Sequence, residues 1–112
     1  MNFKSKYDHL KGQELKWLPM DTEQLYKKNL KEKHKELEAY GWLDREFTYK
    51  INSEGFRSPE FTQDPSIMFL GCSYTAGIGL PLESLWTTKV AEGLNLGQAN
   101  LGQGGGSPDT AL

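Results

Sequence analysis

Apolar and polar positions alternate with different periods in different parts of the chain. In "DTEQLYKKNLKEKHKELEAYGW", Leu25, Tyr26, Leu30, Leu37 and Tyr40 recur among charged residues, the narrow stripe of an amphipathic helix. Asp21 is the expected N-cap, with Gln24 completing a capping box worth about 1 kcal/mol. Gly41 stands where a left-handed C-terminal residue belongs, and Glu23 precedes Lys27 in the favourable order. The mixed charges between them read as the helix's wet face.

The period then shortens. In "REFTYKINSEGFRSPEF", Phe47, Tyr49 and Ile51 alternate with polar neighbours, the mark of a half-buried strand. Asn52 to Gly55 supplies turn residues and Pro59 discourages further regular structure, so residues 1–60 are expected to form a helical and hairpin segment. After Asp64-Pro65 comes a continuous apolar run, Ile67 to Leu70, which suits a strand covered on both faces. "LESLWTTKVAEGLNL" is helical in pattern, with Leu82, Leu85, Trp86, Val90 and Leu94 on one side, Pro81 at its start and Gly93 at its end. A short strand is expected at Ala99–Leu101. Strand, turn, helix and strand make one α/β unit of the βαβ kind, whose crossover should be right-handed. Two parallel strands cannot cover both faces of a sheet, and Asp109 to Leu112 reads as the opening of a helix, so the architecture is expected to be incomplete.

Composition narrows the class. With 112 residues, 37% of them hydrophobic and 12% aromatic, the chain suits a small globular unit. A net charge of −2 gives no electrostatic reason to expect nucleic acid or a membrane as partner. Cys72 is the single cysteine, which excludes an intramolecular disulfide and an all-cysteine metal site. The N-terminus is polar, unlike a signal peptide, and no window is long and apolar enough to span a bilayer; a cytoplasmic location is the expectation. Charge is also uneven. Residues 1–60 carry 12 basic and 11 acidic side chains, and residues 61–112 carry one basic and four acidic. The first part reads as peripheral and solvated, the second as meant for burial.

The candidate chemistry lies in "IMFLGCSYTAGIGL", which begins at Ile67. No Lys follows Gly77, so this is not a Walker loop, and Gly-x-Gly-x-x-Gly is absent. A flavin or phosphate loop over Ser73–Gly79 is an alternative, weakened because the helix is expected to start only after Pro81, whereas its amides should hold the phosphate. A serine nucleophile is another reading, since the C-terminal end of a parallel strand faces the crevice where open α/β sheets bind ligands. The Gly-x-Ser-x-Gly elbow fails at Thr75. As a plain turn residue, Ser73 would bond its hydroxyl to local backbone. Cys72, with no cationic neighbour, reads as an inert, buried small hydrophobe.

"FLGCSYTAGIGL" followed by "NLGQGGGSPDT" resembles the start of the SGNH (GDSL-type) hydrolase family. Gly71, Ser73 and Gly77 match its first block, Asn100 and Gly105 its second, and Asn52, Gly55, Phe56 and Arg57 resemble the Asn-x-x-Gly-Phe-Arg segment that often precedes the domain. Cys72 stands in place of the family's Asp. The third block, Gly-x-Asn-Asp, and the C-terminal Asp-x-x-His are missing, and neither His9 nor His34 sits in such a setting. The resemblance implies that residues 61–112 are the N-terminal portion of a flavodoxin-like three-layer sandwich. It implies Ser73 as nucleophile, the amides of Ser73 and Gly105 as oxyanion hole, and hydrolysis of a small ester or acetylated carbohydrate without metal or organic cofactor. A serine without its histidine loses on the order of a million-fold in turnover, so the 112 residues alone are expected to be inactive. The rival expectation is a non-catalytic module that binds a partner, or itself, through an uncovered sheet face.

Overall fold

The computed structural model describes residues 4–44, 46–62, 64 and 66–111. Helices and short strands are mixed, with two separate two-stranded sheets. Strand β1 (Glu14–Leu15) pairs antiparallel with β2 (Tyr49–Lys50), Glu14 opposite Lys50 and Leu15 opposite Tyr49. Between them lie α1 (Glu23–Glu32) and α2 (His34–Ala39). Strand β3 (Ser66–Phe69) pairs parallel with β4 (Gly97–Asn100), from Ser66 opposite Gly97 to Phe69 opposite Asn100. The one-turn helix α3 (Ser73–Ala76) and α4 (Trp86–Leu94) make the crossover. Among the described residues, no helix is long and apolar enough to cross a membrane.

The alternation at Phe47, Tyr49 and Ile51 is real: Tyr49 and Ile51 are fully buried and Phe47 packs against them. The expected hairpin is not formed. The partner of β2 comes from residues 14–15, and Asn52 turns the chain away instead. Its side-chain oxygen accepts the amides of Glu54 (3.1 Å) and Phe56 (2.9 Å), and its NH2 donates to the Pro59 carbonyl (3.1 Å). An Asx turn of this kind satisfies backbone that no second strand reaches.

The long helix is broken. Lys33, at φ −130°, interrupts it and divides α1 from α2. Thr22, not Asp21, is the N-cap, its hydroxyl accepting the Leu25 amide at 3.3 Å. Asp21 instead accepts a hydrogen bond from the Tyr49 hydroxyl. At the other end Gly41 is left-handed as expected. Its amide reaches Glu38, and Trp42's reaches Leu37, the paired bonds of a Schellman ending. Glu23 and Lys27 meet at 3.0 Å. Neither helix buries a residue fully.

Strand β3 and helix α4 depart from the expected burial. Of β3 only Phe69 is buried, and Met68 is 55% exposed. On α4 the buried side chains are Thr87 and Ala91, while Trp86, Val90 and Leu94 remain exposed. Small residues on that face let the helix approach Asn100, whose amide donates to Thr87 Oγ1 at 3.1 Å. The helix ends at left-handed Asn95, with Gly93 inside it. Pro81 precedes a 3-10 turn, Leu82–Ser84, and α4 starts after Leu85.

The charge-rich first part is not peripheral. Tyr7, Leu18, Tyr49 and Ile51 form the hydrophobic core cluster, packed by Leu10, Leu15, Phe47 and Ile78. Its charges sit at exposed ends of the same segments, as in the Lys11–Asp8 pair, so charge density there reflects surface and not lack of a core.

Candidate active site around Ser73

The site begins where β3 ends. After Phe69 the chain passes Leu70 and Gly71, and Ser73 is the first residue of α3, with Cys72 as its N-cap. Gly77, at φ +72°, ends the helix after one turn. A Cβ on Gly77 would lie 1.9 Å from Leu85 Cδ2, so the left-handed turn and the packing of Leu85 both require glycine.

The carbonyls at this turn are held from outside it. Arg57 is almost fully buried, and its guanidinium donates to the carbonyls of Ala76 (3.1 Å), Gly77 and Leu80 while lying 4.5 Å from the Tyr49 ring centroid. A buried cation needs hydrogen-bond acceptors, and here the carbonyls at and after the end of α3 supply them to both terminal nitrogens. The turn is thereby tied to the segment containing Asn52, Gly55 and Phe56.

The second glycine-rich stretch lies against the first. The Gln103 amide donates to the Gly71 carbonyl at 3.0 Å, and a Cβ on Gly102 would come 2.5 Å from the Ala76 nitrogen. Asn100, fully buried, donates to the Thr75 carbonyl at 2.7 Å and accepts the Gly102 amide at 2.9 Å. Its own amide donates to Ser58 Oγ at 3.0 Å. Asn100 therefore joins β4, α3 and α4. Gly105 is left-handed at φ +75° and exposed.

Ser73 is half-buried, and its hydroxyl makes no hydrogen bond to any described group. The local backbone bond expected of a plain turn serine is not made. A cavity of about 300 Å³ adjoins it, lined by Met20, Ser73, Tyr74, Gly77, Ile78 and Leu80. Around Ser73 the amides from Thr75 to Leu80 all have acceptors: Cys72 for Thr75 and Ala76, Ser73 for Gly77 and Ile78, the Tyr49 hydroxyl for Gly79, and Gly77 for Leu80. That leaves the Ser73 and Tyr74 amides without an acceptor among the described residues. A helix does start directly at the turn, contrary to the expectation of a start after Pro81, but it is a single turn.

Cys72 is a free thiol, half-buried and not fully buried as expected, because it caps α3 at the mouth of the turn. His9 and His34 are both exposed, one on the 3-10 turn Asp8–Leu10 and the other opening α2. Neither imidazole hydrogen-bonds to a described group. Among the described residues no cluster of three or more His, Cys, Asp or Glu could hold a metal ion. Sequence reasoning missed the clamping part of Arg57, whose acceptors lie about twenty residues further along the chain, and the placement of Met20 beside Ser73, which no local pattern announces. Comparison with known proteins returns no match, neither to a family model, nor to a curated protein, nor to a solved structure.

Proposed function

We propose that Ser73 is the nucleophile of an SGNH-type acyl hydrolase and that β3, α4 and β4 open a flavodoxin-like three-layer sandwich. The observation that carries this reading is the Ser73 hydroxyl itself: it follows a parallel strand, has no internal partner among the described residues, and borders a cavity. In the reaction, Ser73 Oγ bonds to the acyl carbon and the alcohol leaves, carrying the serine proton delivered through a base. Water then cleaves the acyl-serine, releasing the carboxylic acid and restoring the hydroxyl. The amides of Ser73 and Gly105 would stabilise the oxyanion, a contribution of about 3 kcal/mol per donor. Gly102 and Gly106, where a Cβ would meet the backbone of the first turn, let the two loops lie close together. The base is assigned to an Asp-x-x-His outside these 112 residues, and the substrate to an ester, with small esters and acetylated carbohydrates the classes that the resemblance implies.

A fluorophosphonate probe applied to the protein from its native source tests the reading. The expected result is one adduct, mapped to the peptide containing Ser73 and lost in Ser73→Ala. Adduct at another serine, or none, removes the proposal.

Exposure of Met68, Leu70, Trp86 and Leu94 supports a second reading, a module that associates with a partner or with itself through this side. Concentration-dependent sedimentation together with no probe adduct would favour it.

A further inference from the structure

The cavity beside Ser73 has no charged side chain among its lining residues, and Met20, Ile78 and Leu80 are the aliphatic side chains in its lining. At about 300 Å³ it is far larger than the methyl of an acetyl group, a group close in size to a water with its ~30 Å³ share of the liquid. An acetyl ester would leave most of it to solvent. A sugar ring would find few polar partners there beyond the hydroxyls of Ser73 and Tyr74.

Its walls differ in stiffness. Ile78 packs against the core cluster, and the carbonyls of Gly77 and Leu80 are held by Arg57. Tyr74 is 86% exposed and forms the open rim. Met20 comes from the N-terminal segment and is 45% exposed. Its sulfur accepts a hydrogen bond from Lys6 Nζ at 3.3 Å, and a Cβ on Gly104 would lie 2.5 Å from that sulfur. Methionine's unbranched, flexible chain makes it the adjustable wall of an otherwise fixed recess.

We infer that this cavity accepts an uncharged aliphatic acyl group several carbons long and that Met20 sets the length it accepts, an inference that rests on Ser73 being the nucleophile. Selectivity for the acyl group is then set by a residue outside 61–112, the portion that carries the Ser73 turn and the second glycine block. Ile78 and Leu80 line the recess that takes the methylenes, and Met20 is the wall whose bulk limits how many enter.

The test uses p-nitrophenyl acetate, butyrate, hexanoate and decanoate with the protein as its natural gene encodes it, and Ser73→Ala as the blank. The wild type should favour hexanoate over acetate by about tenfold or more, since a methylene in an apolar pocket is worth at least that, with a fall at decanoate. Met20→Ala should move the optimum to decanoate, and Met20→Trp to acetate. Met20→Leu, close in volume, should leave the order unchanged and guards against misfolding of the other variants. An acetate optimum in the wild type, or one optimum shared by Met20→Ala and Met20→Trp, overturns the inference while leaving Ser73 as nucleophile. Hydrolysis by Ser73→Ala equal to wild type removes the nucleophile and the acyl cavity together.

Discussion

The N-terminal part of the chain removes Tyr7, Leu18, Tyr49, Ile51 and Phe56 from water, with Asn52 and Arg57 buried among them. The part after Phe61 leaves Met68, Leu70, Trp86 and Leu94 about half exposed. The first is rich in charge and the second poor in it, so abundance of charge does not decide which segment is covered. What decides it is whether polar anchors close the chain over itself. Asn52 and Arg57 bring loop carbonyls and amides together, and the apolar rings fill the space they enclose. The two-stranded parallel sheet is closed on one side by buried Asn100, but it leaves Met68 exposed on a face that no second layer covers among the described residues.

The sharpest way to break this contrast is Arg57→Ala. It strips a partner from three carbonyls, of which Gly77's keeps the Leu80 amide, and at 1–3 kcal/mol for each of the other two the loss should reach about 4 kcal/mol in urea unfolding. A surface-sized effect would mean that the front segment merely rests on the Ser73 turn. Gly77→Ala comes next, at about 3 kcal/mol, combining a left-handed backbone with a clash against buried Leu85. On the other region, Met68→Lys with Leu94→Lys should change stability by no more than about 0.5 kcal/mol. If the exposed side mediates self-association, sedimentation velocity will show the double variant losing it. A cost of several kcal/mol would show that this face is covered after all.

Smallest is the acid dependence at exposed pairs. Hydrogen bonding from Lys11 holds the Asp8 carboxyl below its usual range, and Lys27 does the same for Glu23. A lowered carboxylate contributes stability above its unfolded-state pKa and loses it as pH falls through its folded one. Asp8→Asn should therefore remove a slight stabilisation at pH 7 and none at pH 2, read as a difference in melting temperature. The same change at both pH values would show that the pair is irrelevant.

Local features were legible and distant ones were not. The Gly41 ending, the Glu23–Lys27 pair and the Phe47–Ile51 alternation depend on neighbours within a few residues, and each is present. The parallel strands appear within two residues of their expected positions. Asp21 failed as a cap because Tyr49, 28 positions away, draws it off. The buried face of α4 was misplaced because hydrophobicity points to Trp86 and Val90, whereas the amide of Asn100 recruits Thr87. In the site, the approach of the two glycine loops follows the order of the motifs, but Arg57 and Met20 reach Ser73's surroundings through contacts that no local spacing encodes.

Near the N-terminus, the Lys6 amide donates to Gln103 Oε1 at 2.6 Å and the Tyr7 hydroxyl accepts the Gly104 amide at 3.3 Å. Tyr7 belongs to the core cluster, so its polar end waits for a residue made 97 positions later before it is satisfied. Contacts of such long sequence separation slow folding. On the ribosome, the early segment should stay protease-sensitive until the glycine loop has emerged, and then become protected together with it.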